Sequence, residues 1–200
     1  FKHDNNICLI TGANMAGKST FLKTVGVAVF LSQLGFPVPA ERMETSGFKG
    51  LISTINLADN LSQGSSHFYN EVLRVKYVAQ KISESQPLLV IFDELFRGTN
   101  VKDAYDASLA IISAFAKVKQ SFFMISTHIV GFANDMAWIQ NISFKFMETV
   151  FTDEHQPKFS YQLRDGITDE RLGMWIVQNE GIVRMIEKLT EQKENNNQLL

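Results

Sequence analysis

Gly12-Ala13-Asn14-Met15-Ala16-Gly17-Lys18-Ser19 is the stretch whose reading decides the fold. It fits G-x-x-x-x-G-K-[ST], a loop whose successive backbone N–H groups cradle phosphate. The flanks supply the context that this loop needs. The apolar run Ile7-Cys8-Leu9-Ile10 reads as a buried strand, and the stretch from Thr20 reads as a helix whose dipole adds to the field of the loop. Gly12 and Gly17 allow backbone angles and a close approach that a side chain would block. Lys18 is placed to reach the β- and γ-phosphates, and the Ser19 hydroxyl to ligate Mg²⁺. A nucleoside triphosphate is the expected ligand.

Composition bounds the rest. A chain of 200 residues with 45% hydrophobic content can bury one good core, and its 16 Phe make that core aromatic. We expect a single domain over 1–190 and a polar, Asn-rich, disordered tail over 191–200. The formal charge of −2 gives no general basic footprint, which argues against tight nucleic-acid binding through phosphates alone. The one cysteine, Cys8, excludes an intrachain disulfide and reads as a buried structural thiol. No run is long enough for a membrane span and no signal peptide is visible, so a cytoplasmic chain is expected. The sequence begins at Phe1, almost directly on the first strand, as a domain of something longer would.

Along the chain, apolar periods of helix and strand alternate. Phe21, Leu22, Val25, Val29 and Ser32 share one helical face, which Gly35 and Pro37 end. Leu51–Ile55 reads as a short strand. Ser65 or Ser66 then caps a helix with Phe68, Val72, Val75, Ala79 and Ile82 on its inner face. Leu88–Phe92 and Phe122–Ser126 read as central parallel strands, with a helix over roughly 103–118 between them. This order predicts an α/β doubly wound sheet, helices on both faces, with ligands at the carboxyl ends of the strands. Past residue 140, Ile142, Phe144, Phe146 and then Phe159, Tyr161, Leu163 alternate. That pattern predicts an antiparallel hairpin added at the sheet edge, followed by two short helices broken at Gly181.

The strand ends carry the remaining chemistry. Asp93-Glu94 follows Leu88–Phe92 directly. Asp93 is suited to hold Mg²⁺ and Glu94 to polarise an attacking water. His128 follows the next strand onto the same rim and is a candidate γ-phosphate sensor. Arg97-Gly98-Thr99-Asn100 is either a turn that faces a partner or a helix-capping loop. Leu61–Ser66 is a Gly/Ser loop opening a helix, compatible with an anion but equally with a simple cap.

Thr11 through Thr20 resembles the P-loop of the MutS family of DNA mismatch-repair ATPases, and Asn14-Met15 makes the likeness far more specific than the generic pattern. Asp59, Gly64, Ser66, Phe68 and Glu71 are similar to the family's signature-loop segment. Asp93-Glu94, Arg97-Gly98-Thr99 and Ser126-Thr127-His128 follow in the family's order, and Tyr161–Gly166 with the helices beyond resembles its dimerisation region.

The resemblance implies an ABC-type P-loop ATPase with ATP and Mg²⁺ as cofactors, closing as a head-to-tail homodimer around two nucleotides. Asn14 and His128 would contact the γ-phosphate, and Ser66 would reach the nucleotide of the other subunit. Tyr161 lies where an adenine-contacting side chain falls, although a hairpin aromatic is an equal reading. DNA would be bound by regions outside this chain. The chain departs from the family at Ala13 and Ala16 in the loop, at His67, at Phe96 in place of a small residue, and at Trp175, Val177 and Gln178. These departures suggest a divergent branch. The alternatives are a nucleotide-gated dimer scaffold with slow hydrolysis, or another ABC- or SMC-like ATPase.

Overall fold

The computed structural model describes residues 5–55, 67–84, 87–128, 130–152, 156–168 and 172–187. Its centre is a six-stranded sheet. In chain order the elements are β1 (Ile7–Thr11), α1 (Lys18–Gln33), β2 (Gly50–Ser53), α2 (His67–Ser83), β3 (Leu88–Asp93), α3 (Val101–Phe115), β4 (Phe122–Ser126), α4 (Val130–Asp135), β5 (Ile142–Phe151), β6 (Pro157–Asp165) and α5 (Leu172–Asn179). The spatial order is β2-β3-β4-β1-β5-β6, and only β6 runs antiparallel to its neighbour.

The strand pattern explains the layering. All six residues of β3 are buried, as a parallel strand covered on both faces must be. Leu89 and Ile91 pack on the face covered by α1, while Leu88, Val90 and Phe92 join the core under α2 and α3. On α1, Leu22, Gly26 and Val29 are buried at helical spacing against that sheet face. Leu34 caps the helix, and Gly35 and Phe36 donate to Ser32 and Leu31 in the paired bonds of a Schellman turn. On the other face, Phe115 of α3 stacks on Phe123 with centroids 4.5 Å apart and on Phe92 at 6.0 Å. Cys8 is buried, and burial pushes its thiol up to about 11.

The antiparallel hairpin expected at the sheet edge is present: β5 pairs antiparallel with β6 and joins the sheet in parallel with β1 along Ile7–Thr11. Two expectations are corrected. The inner face of α2 runs through Phe68, Glu71, Val75, Val78 and Ile82, leaving Val72 and Ala79 exposed. The face is rotated because Glu71 turns inward onto a loop (below). The helix expected over 103–118 spans 101–115, since Asn100 starts it by accepting from the Asp103 N–H at 2.9 Å. Gly181, at φ +65°, does separate α5 from a helical turn over 182–187. Phe1, Asp59, Gly64, Ser65, Ser66 and the 191–200 tail lie outside the described residues.

Candidate functional site

The chain leaves β1 for the far edge of the sheet, returns through β3 and β4, and only then builds β5 on the other side of β1. A reversal of strand order of this kind, here at the carboxyl end of β1, is where open α/β sheets bind their ligands. The register places Ser126 level with both Ile10 and Asp93, so three strand ends arrive at one rim. The 12–19 loop follows β1, Asp93-Glu94 ends β3, and Thr127-His128 follows β4.

The loop has the geometry of an anion cradle. Gly17 precedes α1 at φ +99° and no side chain caps the helix, which leaves its first N–H groups directed into the loop. A Cβ on Gly17 would stand 3.1 Å from Cδ1 of Tyr161 in a conformation that other residues rarely adopt. Gly12, at φ +141°, is equally confined, by the Met147 carbonyl at 3.3 Å. Lys18 is 5% exposed, and its Nζ donates to the carbonyls of Gly12 at 2.8 Å and Ala13 at 2.9 Å. Burial lowers the pKa of that ammonium, and the nearby Glu94 and Asp93 carboxylates oppose the shift. Ala13 and Ala16 are buried, so the small residues of the loop pack inward, while Asn14 and Met15 stand exposed at its crown. Met15 holds a left-handed backbone at φ +71°. Ser19 is half-buried and Thr20 exposed on the first turn of α1.

The acidic pair is asymmetric. Asp93 is 6% exposed, and its Oδ1 accepts from the Ser126 hydroxyl at 2.7 Å. That bond engages one of the two carboxylate oxygens. The same Ser126 oxygen accepts from the Glu94 N–H at 3.2 Å. Glu94 turns outward at φ +59°, a left-handed angle that costs on the order of 1 kcal/mol. Its Oε1 lies 3.3 Å from His128 Nδ1, and its Oε2 lies 3.7 Å from Arg97 Nη1. The hydrogen bond from His128 holds the Glu94 carboxyl below its usual range against the opposing effect of burial, with added support from Lys18 and Arg97. Lys18, Asp93, Glu94 and His128 therefore form one electrostatic group at the rim.

Tyr161 is exposed at φ +57°, at the irregular part of the β5–β6 pairing, with its ring over Gly17. Of the residues expected at the site, Ser66 alone lies outside the described residues. The sequence pattern left the roles of Ser126, Arg97 and Glu71 unassigned. The signal for Ser126 was its place in register with Asp93 at the end of an adjacent strand. The residues present fit a nucleotide and Mg²⁺: an uncapped helix start, two glycines where a Cβ would crowd its neighbours, a buried lysine and a half-engaged aspartate.

Known proteins resemble the chain over most of its length. The chain is 28% identical over 193 residues to the DNA mismatch repair protein MutS of Halalkalibacterium halodurans, covering 95% of this chain and 22% of that protein. It is 33% identical over 171 residues to the DNA mismatch repair protein MSH3 of Vanderwaltozyma polyspora, covering 83% and 16%. With MutS of Staphylococcus haemolyticus the identity is 31% over 178 residues, covering 86% and 19%. The chain thus spans about a fifth of the length of these curated relatives. The family profile described as MutS domain V matches residues 8–198, nearly the whole chain, and the chain belongs to that family.

Proposed function

We propose that this domain binds MgATP and hydrolyses it to ADP and phosphate, as the ATPase module of a mismatch-repair protein. The observation that carries the reading is the level rim at which Lys18, Asp93, Glu94 and His128 meet. The helix start and loop N–H groups bind the phosphates, with Lys18 on the β- and γ-phosphates and Asn14 at the crown over the γ-phosphate. Ser19 and Asp93 would hold Mg²⁺, which would supply charge neutralisation during phosphoryl transfer. Glu94, held ionised by His128, orients the attacking water and accepts its proton. His128, beside Glu94, is the candidate contact to the γ-phosphate. Tyr161, standing over Gly17, provides a face for the adenine ring.

The same reading includes a homodimer. Met174, Ile176, Ile182, Val183, Met185 and Ile186 are exposed on α5 and the following helical turn, and exposed apolar side chains in such number are of the kind that mark association surfaces. Ser66 acts across that dimer on the facing nucleotide, and the parts of the full-length protein beyond this domain contact DNA. Among the described residues no helix is long and apolar enough to cross a membrane.

Glu94→Gln tests the proposal directly. The substitution keeps the shape and removes the base, an effect typically worth about 10²–10⁴ in rate. Binding of a fluorescent ATP analogue should survive while phosphate release collapses. Equal turnover by the variant and the parent would remove Glu94 from the chemistry.

A further inference from the structure

The loop after the acidic pair is held from both ends, and one of the two anchors lies outside the nucleotide site. At its start, Ser126 accepts from the Glu94 N–H at 3.2 Å. At its end, the Glu71 carboxylate of α2 accepts from two successive amides, Oε1 from Arg97 N–H and Oε2 from Gly98 N–H, both at 3.2 Å. The Glu71 side chain is 11% exposed, so its charge is met mainly by these amides and by His67 Nδ1 at 3.6 Å. Charge-assisted bonds of this kind are roughly twice as strong as neutral ones.

Two further contacts seat the same loop on α2. Phe96 is 3% exposed, and its ring meets that of Phe68 edge-on at 5.6 Å. A Cβ on Gly98 would lie 2.5 Å from the Phe68 backbone nitrogen and 2.7 Å from His67 Nδ1, so the loop and the helix touch backbone to backbone. Between the anchors stand Glu94 at φ +59° and Phe96 at φ +60°, two left-handed non-glycine residues that persist only under restraint. Arg97 joins the two functions: its N–H is held by Glu71 and its guanidinium lies 3.7 Å from Glu94 Oε2.

We propose that Glu71 is a positioning residue for ATP hydrolysis, pinning the Arg97-Gly98 backbone to α2 and thereby setting the orientation of the Glu94 carboxylate. The proposal rests on the ATPase reading above. Glu71 touches neither nucleotide nor water, so its loss acts on the chemical step and spares nucleotide binding.

The test compares Glu71→Gln and Glu71→Ala with the parent in the full-length protein. The readouts are kcat and KM for MgATP, affinity for a fluorescent ATP analogue, and amide hydrogen exchange across residues 95–98. Removing the carboxylate should speed exchange of the Arg97 and Gly98 amides by about tenfold or more and lower kcat by about tenfold to a hundredfold. Nucleotide affinity should stay within about twofold, since the P-loop is untouched. Gln keeps one acceptor oxygen and should fall between Glu and Ala. If neither variant folds, Gly98→Ala separates loop from helix with Glu71 in place and should give the same split between kcat and affinity. A parent that turns over ATP together with a Glu71→Ala variant of equal kcat, or of unchanged exchange at 95–98, overturns the proposal alone. A parent without ATP turnover overturns the ATPase reading, and this proposal with it.

Discussion

Ser126 donates its hydroxyl to Asp93 Oδ1 at 2.7 Å across the β3–β4 pairing, at a register step where the two residues stand side by side. Because the same oxygen accepts from the Glu94 N–H, one buried hydroxyl sets both members of the acidic pair. Ser126→Ala leaves a buried carboxylate oxygen and a backbone amide without their partner. We expect a loss of about 1–3 kcal/mol in stability, read as a lower urea midpoint. The Mg²⁺ concentration needed for turnover should rise with it. A variant with parental stability and parental Mg²⁺ dependence would show that Asp93 orients itself.

His128 carries a pH signature. Its hydrogen bond is the largest cause holding the Glu94 carboxyl below the usual range, and burial pulls the other way. A carboxyl whose folded value is depressed stabilises the fold above its unfolded value, and that stability is lost as pH falls through the folded value. His128→Asn leaves burial opposed only by Lys18 and Arg97, so Glu94 should titrate at higher pH. The acid limb of the kcat profile should therefore move upward in pH, and turnover at neutral pH should fall. An acid limb that stays in place would mean that another group governs it.

Much of this arrangement is legible in the sequence, and the remainder fails for identifiable physical reasons. Strand ends were readable because Ile7–Ile10, Leu88–Phe92 and Phe122–Ser126 are continuous apolar runs, and a rim follows wherever such runs stop at polar residues. The partner strand of β5 was not readable, since alternation along Ile142–Phe146 fits a parallel neighbour as well as an antiparallel one. The α2 face was misplaced because apolar periodicity cannot register an inward glutamate. Glu71 is recruited by amides 26 and 27 residues away, a tertiary contact with no local signal. The Arg97–Glu94 contact was hidden for a related reason, because it depends on left-handed angles at Glu94 and Phe96 that neither residue type suggests.

The assignment of Ser66 to the facing subunit is the part of the proposal most open to decision by one experiment. In the proposed dimer each site combines Lys18 of one chain with Ser66 of the other. Lys18→Ala removes the ammonium that now sits on the Gly12 and Ala13 carbonyls, and it should abolish MgATP binding in its own loop without unfolding the domain. Ser66→Ala should leave nucleotide binding by its own chain nearly unchanged but lower turnover and ATP-driven dimerisation. Mixing the two variants then separates action across the dimer from action within one chain. If Ser66 acts in trans, a mixed dimer concentrates both lesions in one site and leaves the other site intact, so activity partly returns. If Ser66 serves only its own chain, each site of the mixed dimer carries one lesion and mixing restores nothing. Phosphate release by the mixture, measured against each variant alone at equal total concentration, decides between them. With both chains folded and dimer-competent, the absence of rescue would reduce Ser66 to a helix cap and remove the facing subunit from the site.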